Sequence, residues 1–183
     1  MSKKVLFAIF LIIIAFSLTA TLIYHVLSPV GIKAINPHYL VDPSGDETKI
    51  FLESTTLSYG TYPFQDAQGL PGKPNIHTGD PCVIVEVTLR NDYTTQNPLP
   101  QHQVSIEDAA CMFLTAALYD ANGTKIQSTN VTPPYPPPSQ FEAPLTIIPY
   151  EEKHTFNMYL TTNNQNINHF NIEILYLSSV PPP

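Results

Sequence analysis

CVIVEVTLRND, residues 82–92, is the stretch that decides the fold. Every second residue in it is apolar, and these residues are Val83, Val85, Val87 and Leu89. The positions between them include Glu86, Thr88 and Arg90. Successive side chains of a strand point to opposite faces, so a period of two predicts a β-strand with one face buried in a core.

Further runs on both sides of this stretch have the composition of strands. Downstream they cover residues 111–120, 124–127, 145–148, 154–160 and 167–177, and upstream 31–35 and 49–52. Asn122-Gly123 is a preferred turn dipeptide and predicts a hairpin after the run CMFLTAALYD. Residues 58–81 carry repeated Gly and Pro and predict a long irregular connection.

The overall composition agrees with an all-β fold. The chain has 19 prolines in 183 residues and only 13% charged residues, and neither property favours helices. Six or seven short strands separated by turn signals are typical of a β-sandwich. The proline run within residues 133–138 cannot donate ladder hydrogen bonds, so we expect it to cross between sheets or follow the surface.

Three blocks of the sequence resemble a known domain family. VIVEVTLRND, LTAALYDANGTKI and PYEEKHTFNMYL, spanning Val83 to Leu160, resemble the signature blocks of FxLYD-type, immunoglobulin-like domains on membrane-anchored surface proteins of bacteria and archaea. Leu118-Tyr119-Asp120 and Gly123 match that pattern, whereas Ala116 replaces its aromatic residue and Pro149-Tyr150-Glu151 lacks its Gly. The resemblance implies an immunoglobulin-like β-sandwich, but fold alone transfers no ligand or activity.

The N-terminal region predicts a membrane anchor. VLFAIFLIIIAFSLTATLIYHVL, residues 5–27, carries no formal charge, and as a helix it would reach roughly 35 Å, enough to cross a bilayer core. Lys3 and Lys4 precede it and favour retention of the N-terminus in the cytoplasm. A cleaved signal peptide is the alternative, but the best cleavage site, after Ala20, places the bulky Leu18 at −3.

These features predict one arrangement of the whole chain. Residues 1–4 form a cytoplasmic n-region, 5–27 one transmembrane signal anchor, 28–178 an extracytoplasmic β-sandwich with long Pro/Gly-rich loops, and 179–183 a proline tail. The expected location is the cell membrane, with the lipid bilayer as the partner of residues 5–27. A net charge of −7 argues against nucleic acid as a partner.

Two functions are compatible with this arrangement. The first is a non-enzymatic domain that binds an envelope or surface protein through its loops or a sheet edge, or that has a structural role in the envelope. The alternative is a pilin-like filament subunit with the N-terminal helix as its assembly core. In the filament class a Gly or Ala stands before the apolar run, whereas here Lys4 meets Val5 directly.

Residue types used in chemistry are scattered and few. They fall into four sets: His102, Ser105 and Asp108; Cys111 and Met112; His77 and Asp80; and Asp42, Asp46 and Glu47. The first set is crowded into one loop without a GxSxG elbow, and the second has no nearby histidine for a copper site. The last two sets are typical of solvated turns. We expect no catalytic residue, no cofactor and no metal site, and we expect that the protein is not an enzyme.

Two kinds of covalent modification are predicted. Cys82 and Cys111 are the only cysteines, and an oxidising exterior favours a disulfide between them. Geometry opposes the bond if the two strands are antiparallel neighbours, because the cysteines would then lie at opposite ends. We give the oxidising exterior more weight than the strand geometry, so we predict that the disulfide forms. Asn122 and Asn130 begin N-glycosylation sequons, so both are possible acceptors.

Overall fold

Strands make up most of the described part of the chain. A computed structural model describes residues 34–66, 75–99, 108–133, 143–162 and 166–179. The strands are β1 (His38–Val41), β2 (Glu47–Thr61), β3 (Pro81–Asn91), β4 (Ala109–Tyr119), β5 (Lys125–Ile126), β6 (Ser128–Asn130), β7 (Leu145–Pro149), β8 (Lys153–Thr162) and β9 (His169–Ser178). These ranges contain no helix, so the all-β prediction is confirmed for them.

The strands form two antiparallel sheets. Sheet 1 has the order β1-β2-β3-β8-β6. Sheet 2 is centred on β4, which pairs with β9 along one edge and with β5 and β7 at the two ends of its other edge. The first three strands belong to sheet 1 and the next two to sheet 2, and from β6 onward successive strands alternate between the two sheets.

The core lies between the two sheets. Val83, Val85, Val87 and Leu89 of β3 are buried, as their alternation predicts. They belong to one apolar cluster with inward side chains of β4 such as Met112 and Leu114. Because that cluster contains residues from both sheets, the sheets pack against each other and remove their apolar faces from water.

The predicted hairpin is confirmed. Asp120 Oδ1 accepts hydrogen bonds from the main-chain N–H groups of Asn122 (2.8 Å) and Thr124 (2.9 Å). Gly123 has a φ of 77°, which glycine adopts without steric cost. This turn returns the chain along β4, where Lys125 and Ile126 pair with its last two residues.

Strand β2 is longer than the sequence indicates. It continues to Thr61, into the stretch predicted as an irregular connection, and Gly60 pairs with Cys82 of β3. A Cβ atom on Gly60 would lie 2.5 Å from Cδ1 of Ile84. Gly60 therefore marks a close approach of a neighbouring side chain and not the end of the strand.

The predicted anchor, 5–27, and the n-region, 1–4, lie outside the described residues. Within the described ranges, no helix has both the length and the apolar character needed to span a membrane. All described residues belong to a unit that covers Ile32–Pro183.

Candidate functional site

Strand β6 stops early and leaves part of a sheet edge open. Its residues Ser128 to Asn130 pair with β8 from Leu160 to Thr162. The N–H of Val131 then donates to the carbonyl of Tyr159 (2.6 Å), and the N–H of Tyr159 donates to Thr132 Oγ1 (2.7 Å). Pro133 follows, and because it has no N–H it cannot continue the ladder.

Beyond this point the edge of β8 has no strand partner among the described residues. The N–H and C=O groups of Tyr159 face β6, and antiparallel strands present these groups to the same edge at every second residue. The main-chain groups of Asn157 and Thr155 therefore lie along the same edge. The hydroxyl groups of Thr88 and Thr155 are 2.9 Å apart, which fits the closely spaced, non-hydrogen-bonded pair that this alternation requires.

A groove of about 240 Å³ lies beside the open edge. Its described lining consists of Leu114, Asn130, Thr132, Pro133, Pro144, Leu145, Thr146 and residues 154–158. None of these carries a formal charge apart from His154 when it is protonated. Leu114 and Met158 also belong to the core cluster, so the groove opens onto the side of the core between the two sheets.

Asn130 lines this groove and has an incomplete hydrogen-bond set. Its side chain is buried, with 2% of the residue exposed. The Oδ1 atom accepts from the N–H of Thr132 (3.0 Å), but Nδ2 has no acceptor among the described residues. An unsatisfied buried donor costs about 1–3 kcal/mol, so such a group calls for an explanation. Asn130 also lines a second cavity of about 420 Å³, which borders β5 and β9.

The two predicted glycosylation acceptors have different surroundings. Asn122 is exposed in the hairpin turn, where an acceptor must be. Asn130 is buried in β6, so its modification would have to precede the pairing of β6 with β8. Glycosylation of both residues stays a prediction.

The predicted disulfide is wrong. Cys82 and Cys111 are both buried thiols and are not bonded to each other. Asn91 donates to the carbonyl of Ile148, which pairs with Ala110, so β4 begins near the Asn91 end of β3. Cys82 is at the other end of β3, about 30 Å away at roughly 3.3 Å per residue, far beyond the approximate 7 Å Cα limit of a disulfide. The expected oxidising compartment was therefore weaker evidence than the distance that strand geometry imposes between the two cysteines.

We expect both cysteines to react as thiols once the chain is unfolded. Alkylation in denaturant without reductant should add one label to Cys82 and one to Cys111, as measured by mass spectrometry of the intact chain. In the folded protein burial raises the pKa of the Cys82 thiol, so that residue should react slowly. An unlabelled chain, lighter by the hydrogens that disulfide formation removes, would contradict the structure.

A polar cluster around His77 is the second site with unusual electrostatics. His77 Nδ1 is 3.0 Å from Asp66 Oδ2, and the N–H groups of Thr78 and His77 donate to Asp66 and Asp80, both at 2.7 Å. The hydrogen bond to His77 lowers the pKa of Asp66 to about 2, and the same bond raises the pKa of His77. Sequence reasoning considered His77 and Asp80 but missed Asp66, which is distant in the chain. The cluster holds together the two ends of the connection between β2 and β3.

The His77–Asp66 contact should depend on pH at both ends of its range. A raised His77 pKa means that the attraction is complete below the ordinary histidine value, about 6.5, and is lost as the pH rises through the raised value. A lowered Asp66 pKa means that it is lost as the pH falls toward about 2. NMR titration of the His77 ring should give a midpoint that Asp66→Asn lowers. An unchanged midpoint in Asp66→Asn would show that the two groups do not interact.

A charged cluster on sheet 1 is matched internally. Arg90 donates to Asp92 (2.6 Å) and Glu53 (2.9 Å), Lys153 Nζ lies 3.1 Å from Glu53, and the Tyr39 hydroxyl donates to Asp92 (2.8 Å). These contacts join β1, β2, β3 and β8. Because each charge in the cluster has an opposite partner, the cluster is better suited to fastening strands than to binding a charged ligand.

The remaining candidates are not assembled into a site. Asp42 Oδ1 accepts from the main chain of Ser44 and Asp46 within its own turn, as expected for a solvated turn. Met112 is buried in the core, and residues 102 and 105 lie outside the described ranges. In the part of the chain that the structure covers, no three potential metal ligands come together.

Comparison with known proteins does not add a relative. No family model, curated protein or solved structure matches the chain. The groove beside β8, with the buried amide of Asn130, is therefore assigned from its own geometry, and it is the arrangement in the described residues that most clearly lacks a partner.

Proposed function

We propose that this chain is a single-pass membrane protein whose extracytoplasmic β-domain binds another envelope or surface protein and catalyses no reaction. The observation that carries the proposal is the open edge of β8 beside a groove in which the buried amide of Asn130 has no acceptor among the described residues. An unpaired strand edge offers a row of main-chain donors and acceptors to another chain.

The strand order supports an immunoglobulin-like fold for this domain. Immunoglobulin domains place strands A-B-E-D in one sheet and C-F-G in the other, with C′ beside C in the variable type. The orders β2-β3-β8-β6 and β5-β4-β9 correspond to A-B-E-D and C′-C-F. Strands β1 and β7 are additions to that plan, and no described strand occupies the position of G. The resemblance to FxLYD-type domains points the same way.

Membrane anchoring rests on the N-terminal sequence. The uncharged run 5–27 is long enough to span a bilayer, and Lys3 and Lys4 favour an orientation that exports the β-domain. Protease added to intact cells should then remove the domain and leave a fragment of the anchor in the membrane. A domain that resists the protease until the membrane is broken would refute the orientation.

Binding of a protein partner is tested in the membrane. Cells producing the full chain with a photo-reactive residue at Thr155 should give a crosslinked band that is larger than the chain. The same residue placed at Asn122, on the exposed hairpin turn, is the matched control for random collisions. Equal crosslinking at the two positions, or none at either, would refute binding through this edge.

N-terminal sequencing of the native protein separates the anchor from its alternative. An intact start supports a signal anchor. A start at the beginning of the apolar run would favour the pilin-like filament subunit, because that class is processed there.

A further inference from the structure

We infer that the groove beside β8 binds an extended, uncharged peptide segment of the partner by strand addition, with the amide of Asn130 donating to a carbonyl of that segment. This inference rests on the proposed function and specifies the chemistry of its partner. It assigns the main chain of Thr155 and Asn157 as the pairing edge.

An added strand would continue the ladder between β6 and β8. β6 pairs with β8 as far as Tyr159, and Pro133 then ends the pairing. A peptide strand entering after Pro133 would continue the same ladder along residues 153–158, a length of about 20 Å. Asn157 and Thr155 would each offer one N–H and one C=O to it. The edge has no proline within those residues and no bulge in its pairing with β3, so it lacks two devices that commonly block strand addition.

The lining of the groove favours an uncharged segment. Alternate residues of β8 differ in burial. Met158 and Phe156 pack against the core, whereas Thr155 and Asn157 are exposed. A strand added here would place every second side chain toward Leu114, Phe156 and Met158 and the others toward solvent. The described lining carries no acidic side chain and no Lys or Arg, so an uncharged segment with alternating apolar residues fits it best.

The volume supports a peptide over a small molecule. The groove, at about 240 Å³, is smaller than the roughly 300–1,000 Å³ of ordinary small-molecule pockets. Strand addition needs no such volume, since main-chain hydrogen bonds provide the affinity and shallow pockets select the side chains.

The side-chain amide of Asn130 offers an unpaired donor to the segment. Asn130 Oδ1 is held by the N–H of Thr132, which orients the amide and leaves Nδ2 as the group without an acceptor among the described residues. A peptide has a carbonyl at every residue, and carbonyls alternate in direction along a strand. Because Asn130 lines the same groove, a carbonyl of the segment that lies in the groove and outside the ladder can accept from Nδ2 while other residues of the segment pair with β8.

The test uses the full chain in detergent micelles and a displayed library of random eight-residue peptides. We expect enrichment of uncharged peptides with alternating apolar residues. Binding to an enriched peptide should weaken at least tenfold in Asn157→Pro, which removes one edge N–H, and in Asn130→Asp, which keeps the acceptor for Thr132 but removes the donor. Asn122→Ala, on the exposed hairpin turn outside the groove, is the control and should bind as wild type does.

Hydrogen exchange in the wild-type chain provides a readout that does not depend on whether the variants fold. Enriched peptides should slow exchange of the Thr155 and Asn157 amides at least tenfold and leave the Thr78 amide unchanged. No enrichment, or enriched peptides that protect other residues, would overturn the inference. If crosslinking in cells detects a partner at Thr155 while no peptide protects these amides, the proposed function stands and strand addition does not.

Discussion

Replacing Asn91 with alanine should lower the free energy of unfolding by about 2–6 kcal/mol, since it leaves two buried polar groups unpaired at about 1–3 kcal/mol each. Asn91 is 0% exposed. Its Nδ2 donates to the carbonyl of Ile148 in sheet 2 (2.8 Å), and its Oδ1 accepts from the N–H of Tyr93 (3.1 Å). Alanine at position 91 cannot make either hydrogen bond, so both are lost at the place where the two sheets meet.

Chemical unfolding of the full chain in detergent micelles, followed by circular dichroism, measures this loss. Asn97→Ala is the control, because Asn97 is exposed in a turn and its substitution should change stability by less than about 0.5 kcal/mol. Equal effects of the two substitutions would show that Asn91 does not link the sheets.

Leu89→Ala should cost about 2–5 kcal/mol, because it opens a cavity in a core that does not fully relax. Leu89 is 0% exposed and lies on the inward face of β3, opposite His154 of β8. The neighbouring Thr88 lies on the outward face, where its hydroxyl meets that of Thr155 (2.9 Å). Thr88→Ala should therefore cost about 1 kcal/mol or less.

The pair of substitutions tests the register of β3. A shift of one residue would exchange the inward and outward faces of the whole strand. If Thr88→Ala proves more damaging than Leu89→Ala in the same unfolding experiment, the register of β3 is wrong.

Local sequence predicted the strands well where one face is buried. The alternation from Val83 to Leu89 identified β3, and the run before Asn122-Gly123 identified β4 and its hairpin. It failed at Gly60 and at β6. Gly60 has no side chain, so the polar and apolar alternation cannot show that the strand continues there. Strand β6, Ser128 to Asn130, consists of polar residues whose burial depends on pairing with β8.

The candidate site was beyond prediction because its parts are distant in the chain. The sequence predicted Asn130 only as a possible glycosylation acceptor. Nothing in the adjacent residues of the sequence indicates that its side-chain amide would be buried without an acceptor among the described residues. Asp66 and His77 illustrate the same difficulty, since their contact depends on how the connection between β2 and β3 folds back on itself. Among the described residues the edge of β8 is open where Pro133 ends the pairing with β6, and only the strand order shows which edge this is.

The sequence by itself determined the all-β class, the inward face of β3 and the turn at Gly123, because side-chain alternation and positive φ are properties of a few adjacent residues. The tertiary structure alone decided which distant groups meet. It separated Cys82 from Cys111 by the length of β3, buried Asn130 beside a groove and joined Asn91 to Ile148. These outcomes depend on how strands are ordered across two sheets, and local side-chain periodicity carries no information about that order.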